Sequence, residues 1–223
     1  MREIRVQRSE ARVDIERVQK SLSPLFGRHL LFLPEYEVQQ LLRQAIPDLL
    51  DVQVQKRYPS ELVVRVQLRP ILARLTIETP SDVPSGSGGI ATSTGLPLHD
   101  YLTDNGIYVA SPLSLSGSTT YVIRDWTLRP VPGTQLLSED TLKFLRESEA
   151  GLQQDFAMRV TMRAVYLRAQ EVHMQVGKVS LWFDARSLLS PQLDRLHVFV
   201  STIGWNDAKQ YVDLRLSGRV IYR

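Results

Sequence analysis

Two runs of strict alternation on either side of a proline-bearing turn restrict this chain more than any other feature. In DVQVQKRYPSELVVRVQLRPILARL, residues 51–75, Val52 and Val54 share one side while Gln53, Gln55 and Arg57 share the other. Beyond the turn, Leu62, Val64, Val66 and Leu68 point one way and Arg65, Gln67 and Arg69 the opposite way. A period of two sends successive side chains to opposite faces, so both runs belong to a sheet with one dry and one wet face. The dry face needs a cover, and the preceding chain supplies it. Ile15, Val18, Leu22 and Leu25 fall on one helical stripe, and Val38, Leu41, Leu42, Ala45 and Ile46 form a cleaner one that Pro47 ends. IRVQ near the start alternates as a short strand. The order strand, helix, helix, strand, strand predicts a two-layer α+β domain over residues 1–76, near the lower size limit for independent folding.

Residues 77–98 are rich in Gly, Ser, Thr and Pro and hold little to bury, which predicts a flexible linker or loop. In YLTDNGIYV, Asp104, Asn105 and Gly106 carry the turn chemistry of a hairpin. Ser138, followed by Glu139 and Asp140, caps a helix along which Leu142, Leu145 and Leu152 align. Val172, Met174 and Val176 alternate up to a turn at Gly177 and Lys178, and Val179, Leu181 and Phe183 alternate back. Ser190 and Pro191 are expected to open a second helix bearing Leu193, Leu196, Val200 and Ile203, with Gly204 closing it. YVDLRLSGRVIYR reads as a final hairpin turning at Ser217 and Gly218. Residues 99–223 are therefore expected to form a β-rich domain carrying two helices.

A net charge of +3 with interspersed signs gives no electrostatic footprint for nucleic acid. The chain has no cysteine, which removes disulfides, thiol nucleophiles and thiolate metal sites together. Its apolar runs, HLLFL among them, fall short of the roughly 18 residues of a membrane-spanning helix, and MREIRVQRSEARVD lacks the apolar core of a signal peptide. His29, His99, His173 and His197 show no metal-ligand spacing. His197 follows Leu193 on an apolar stripe and is expected to be a hydrogen-bonded interior or boundary residue. Gly86, Gly88 and Ala91 match G-x-G-x-x-A, yet no strand leads in and no helix leads out, so they belong to the linker. There is no G-x-S-x-G elbow, and the pairs Glu147/Glu149 and Glu139/Asp140 fit a solvated helix face and a helix start. Catalysis, cofactor and metal thus lack positive support. Arg57, Arg65 and Arg69 project from the wet face, either to keep it soluble and guard its edge or as a docking surface for an acidic partner.

The stretch AIPDLLDVQVQKRYPSELVVRVQLRPILARL closely resembles the POTRA domain of the bacterial division proteins FtsQ and DivIB, through Ile46, Pro47, Val52, Val54, Arg57, Pro59, Leu62, Val66, Arg69, Pro70 and Ala73. Arg69 departs from the pattern, since an acidic residue often stands near there. YLTDNGIYV looks like the hairpin that opens the family's β-domain, and Tyr211, Val212, Asp213, Leu214, Arg215, Ser217 and Gly218 look like its closing segment; residues 110–170 align only in outline. The resemblance implies a non-enzymatic scaffold without cofactor, on the extracytoplasmic face of the bacterial cell membrane at the division septum. Its partners would be FtsB-like and FtsL-like proteins, with other divisome components reached through Arg57, Arg65 and Arg69 of the POTRA domain, and no nucleic acid. Family members reach the membrane through an N-terminal anchor absent from these residues, so the chain is expected to be a truncated soluble portion or one whose start was assigned too late.

The same resemblance implies that a partner adds a strand along Leu216, Ser217, Gly218, Arg219, Val220, Ile221 and Tyr222, while Arg215, with Arg168 as a second, pairs with acidic partner groups. Burying the Tyr222 ring would contribute about 1.5 to 3 kcal/mol, and an exposed ion pair at Arg215 about 0 to 1 kcal/mol. The competing reading is a POTRA-bearing adaptor of outer-membrane assembly or secretion, which predicts repeated POTRA units or a following barrel. The sequence contains neither pattern. An enzyme of unrecognised type is the third reading, marked by a deep pocket of converging polar groups.

Overall fold

The computed structural model describes residues 3–80, 98–115 and 119–223. Strands β1 (Glu3–Arg8), β2 (Leu49–Arg57) and β3 (Glu61–Leu68) form a sheet in the order β1-β3-β2, with β1 parallel and β2 antiparallel to β3. Helices α1 (Ile15–Leu22) and α2 (Glu35–Ala45) cover its dry face, where Val18, Leu22, Val38 and Leu42 join Leu62, Val64 and Val66 in one buried cluster. Local chemistry sets the helix ends. The Asp14 carboxylate accepts the Arg17 N–H at 3.1 Å and so satisfies an orphan donor of α1. Pro47 biases the residue before it to extended backbone, and Ile46 (φ −124°, ψ 95°) ends α2 accordingly. The expected strand, helix, helix, strand, strand order is present.

The second sheet has nine strands. These are β4 (Ile71–Ile77), β5 (His99–Thr103), β6 (Tyr108–Ser111), β7 (Thr119–Arg124), β8 (Val160–Tyr166), β9 (Glu171–Val176), β10 (Val179–Asp184), β11 (Tyr211–Asp213) and β12 (Ile221–Tyr222), in the order β12-β11-β10-β9-β8-β7-β4-β5-β6. Helices α3 (Glu139–Phe156) and α4 (Leu189–Thr202) bury Leu142, Leu145, Leu152, Leu196 and Phe199 in a cluster with Leu181, Phe183 and Val212. Helices and sheets make a mixed α+β architecture. Gly106 turns the β5–β6 hairpin at φ 87°, backbone that glycine adopts without strain.

The structure corrects the expected boundaries in three places. Residues 71–76, assigned above to the first domain, belong to β4, which pairs with β5 and β7 of the large sheet. Alternation identifies a strand but not its sheet, and Pro70, having no N–H, breaks the ladder of β3 before the next one begins. Within the expected linker, Ile77 is still in β4, and Glu78 accepts the Trp126 indole N–H on its carbonyl at 2.7 Å. Most of that linker, with Gly86, Gly88 and Ala91, lies outside the described residues. Finally, α4 starts after Leu188 rather than at a Ser190 cap. Its first turn is held by fully buried Gln192, which accepts the Asp184 N–H and donates to the Asp184 and Leu188 carbonyls.

Arg12, Asp48 and Leu68 of the first unit and Val109, Ser111 and Gly133 of the second line one cavity. The buried Arg12 guanidinium contacts Glu10 at 3.0 Å and Asp48 at 3.3 Å, and donates to the Arg69 carbonyl at 2.5 Å. Burial pushes the Asp48 carboxyl above its ordinary range, with Arg12 opposing the shift.

Candidate functional site: the β12 rim and the outer face

Strand β12 ends the large sheet, and among the described residues no strand lies beyond it. Arg223 donates its N–H to the Tyr211 carbonyl at 3.1 Å and accepts the Tyr211 N–H at 3.3 Å. In an antiparallel ladder such a bonded pair alternates with an unbonded one. Tyr222, opposite Val212, is therefore the unbonded member, and its N–H and C=O point away from β11. An open groove of about 410 Å³ runs beside this rim, lined by Val198, Phe199 and Ile203 of α4 and by Gly218, Arg219 and Val220. Val198 is 60% exposed and Ile203 40%. The Tyr222 ring lies 5.1 Å from that of Phe199 and keeps 42% of its surface in water.

The rim is shorter than the sequence suggests. Only Ile221 and Tyr222 are strand; Leu216, Ser217, Gly218, Arg219 and Val220 form the loop that joins it to β11. Asp213 explains why. Its carboxylate accepts the Arg215 backbone N–H at 3.0 Å, a side-chain turn that ends β11 after three residues.

On the sheet face opposite the helices, rings from four neighbouring strands form a ladder. Tyr166 lies 4.3 Å from His173, His173 stacks on Trp182 at 4.6 Å, and Trp182 stacks on Tyr211 at 4.3 Å. Register makes this possible: His173 faces Trp182 directly across β9 and β10, and the other contacts are diagonal. Arg124 caps the β8 end, bonding the Tyr166 hydroxyl at 3.0 Å. Arg215 sits 5.1 Å over Trp182.

Burial lowers the His173 pKa to about 4, only partly offset by Glu171, so the ring is neutral at neutral pH. For Asp213, burial alone would raise the pKa, but hydrogen bonds from Arg215 outweigh it and leave the carboxyl below its ordinary value.

These contacts change the standing of the expected arginines. Arg215 is already engaged within the molecule, donating to Asp213 at 2.8 and 2.6 Å and pairing with Glu171. A partner carboxylate would have to displace those groups. Arg168 is half-exposed and donates to Asp125 at 2.7 Å. Arg57 and Arg65 stand on the wet face as expected, near Glu61 at 3.9 Å and Gln7 at 3.3 Å. Arg69 does not join them, because it lies at the junction, 3.7 Å from Asp104 on the β5–β6 hairpin. His197 is exposed, against the Phe156 ring, rather than interior; the buried histidine is His173. The ladder was missed because the inward positions of β9 and β10 drew the reading, although aromatic residues at the alternate positions were the available signal.

Among the described residues no cluster of histidine and carboxylates has the arrangement of a metal site, and no helix is long and apolar enough to cross a membrane. No protein-family model matches the chain, and no curated protein matches its sequence.

Proposed function

We propose that this chain is a non-enzymatic scaffold of the bacterial division septum, similar to FtsQ, which recruits FtsB-like and FtsL-like partners by accepting a partner strand along β12. The observation that carries the reading is the outward backbone of Tyr222 beside an apolar groove. In strand addition the backbone groups supply affinity and the flanking side-chain pockets supply selectivity. On this reading the unit ending near Arg69 is the POTRA domain, and the protein works on the extracytoplasmic side of the membrane, held by an anchor upstream of these residues. Arg215 then acts by stiffening the β11–β12 loop through Asp213 and Glu171, and the partner's selectivity comes from the groove and the Tyr222 ring.

The test is calorimetric titration of the purified chain with an FtsB-like segment, before and after Tyr222→Pro. The Tyr222 N–H points to the rim, whereas those of Ile221 and Arg223 point to β11. Proline removes that outward donor, and a lost net hydrogen bond of about 1 kcal/mol together with local restriction predicts roughly tenfold weaker binding. Unchanged affinity would refute strand addition at this rim.

A further inference from the structure

The end of the large sheet away from β12 is closed by a strap, residues 131–137, that runs beside β6. Tyr108 donates its N–H to the Thr134 carbonyl and accepts the Gly133 N–H, and the Gly106 carbonyl accepts from Leu136 and Leu137. Contacts from the first unit converge on this strap and on the hairpin it bonds. Gly133 adopts φ 94°, and a Cβ built on it would lie 2.9 Å from Pro47 Cγ, so the strap passes the first unit with a backbone and a clearance that suit glycine. Arg69 reaches Asp104 of the β5–β6 hairpin at 3.7 Å, and the Pro70 carbonyl accepts the Asp104 N–H at 3.0 Å. On the second unit's side, the cavity between the units is walled by β6 and its continuation, Val109 to Pro112, with Pro132 and Gly133 of the strap.

The connector between the units transmits motion instead of absorbing it. The Arg69 carbonyl is held to the first unit by Arg12, and the Pro70 carbonyl to the second by Asp104. Between them lie a planar peptide bond, the ring-locked φ of Pro70 and its ψ, so the first unit moves as a lever about Pro70. Its seating is incomplete. The cavity left between the units is about 220 Å³, room for several waters, and the atoms lining it forgo packing against one another. Contacts between units of one chain resemble transient interfaces, for which relative motion is the rule. We infer that the first unit is a latch on the β6 seal: seated, its Pro47 and Arg69 hold strap and hairpin in place, and tilted about Pro70 it frees the strap and uncovers the Tyr108 backbone as a second open edge. The inference concerns the edge opposite β12 and holds or fails independently of strand addition at β12.

The experiment is amide hydrogen exchange by NMR on the full chain, paired with a spin-label distance between the units. Because there is no native cysteine, Lys20→Cys of α1 and Lys143→Cys of α3, both exposed, carry the two labels. Pro47→Ala/Arg69→Ala removes both side-chain contacts from the first unit and leaves the β6 ladder as it is. It should broaden the label distance and speed exchange of the Tyr108 and Leu136 amides about tenfold, while Val165 in mid-sheet and Val64 in the first unit stay within about twofold. Arg69→Gln alone, which keeps Pro47, should speed them about threefold and serves if the double variant proves poorly folded. An unchanged Tyr108 rate, with or without a change in label distance, would overturn the inference. So would equal acceleration at Val165, which would make the effect a loosening of the whole chain.

Discussion

At one end of the large sheet the chain closes its own edge; at the other it leaves the edge open. Beyond β6, the Tyr108 N–H donates to the Thr134 carbonyl at 2.9 Å, and the Tyr108 carbonyl accepts the Gly133 N–H at 2.6 Å. The Gly106 carbonyl accepts N–H groups from Leu136 and Leu137, and Ile107 bridges to Gln135. Beyond β12 the described chain supplies no such return. Open edges invite indiscriminate pairing, and proteins limit them by keeping edge strands short. Here the exposed strand is Ile221–Tyr222, shortened by the Asp213 turn. Among the described residues the chain caps the Tyr108 end of β6 and leaves the Tyr222 backbone of β12 unpaired, the arrangement that the proposed strand addition needs.

Breaking the sealed end should have the largest effect. A Cβ on Gly106 would lie 2.1 Å from the Leu137 carbonyl oxygen, at a φ of 87°. Gly106→Ala should therefore cost about 3 kcal/mol or more in urea unfolding, since the backbone must move and the seal with it. Gly218, beside the open end, also has positive φ (74°) but meets nothing within 4 Å, so Gly218→Ala should cost only about 1 kcal/mol. Equal losses at the two glycines would contradict the contrast.

Acid should act on the strand row that supports the open end. His173 has a folded pKa of about 4 against an ordinary 6.5, so the unfolded chain takes up the proton first as pH falls. Its contribution is complete above pH 6.5 and is lost down to about pH 4, on the order of 3 kcal/mol in all. The depressed carboxyls of Asp213 and Asp184 lose their contributions only lower still, below about pH 4. His173→Phe keeps a ring in the ladder and should flatten the stability profile between pH 6.5 and 4. An unchanged profile would remove the histidine from the account.

A small effect on stability, comparable to that of Gly218→Ala, should come from the rim itself. Tyr222→Ala removes a ring that is already 42% exposed, for about 1 kcal/mol of folding stability, yet it should weaken FtsB-like segment binding about tenfold. Loss of stability without loss of binding would mean that Tyr222 only packs on Phe199.

Much of this architecture was legible because periodicity reports which face of a strand or helix is dry. The Ser138 and Gly106 signals located a helix start and a turn for the same local reason, whereas the Asp14 cap of α1 emerged only from the structure. What failed was whatever depends on tertiary pairing. Nothing in ILARLTI says that β4 joins the second sheet, and nothing in SPQL says that Gln192 rather than Ser190 holds the start of α4. The candidate rim was located by resemblance, but its length was set by the Asp213 turn and its arginine was already occupied by Glu171. Short-range patterns do not carry ion-pair partners that lie 44 residues apart in sequence.

Amide hydrogen exchange by NMR at residues 221, 222 and 223 of the free chain tests the open edge most directly. The Ile221 and Arg223 N–H groups point to β11 and should exchange at least about tenfold more slowly than that of Tyr222, which faces solvent. Addition of an FtsB-like segment should then slow Tyr222 selectively. Protection of Tyr222 in the free chain equal to that of its neighbours would mean that the edge is already filled, and rapid exchange at all three would mean that no ordered strand is there to receive a partner.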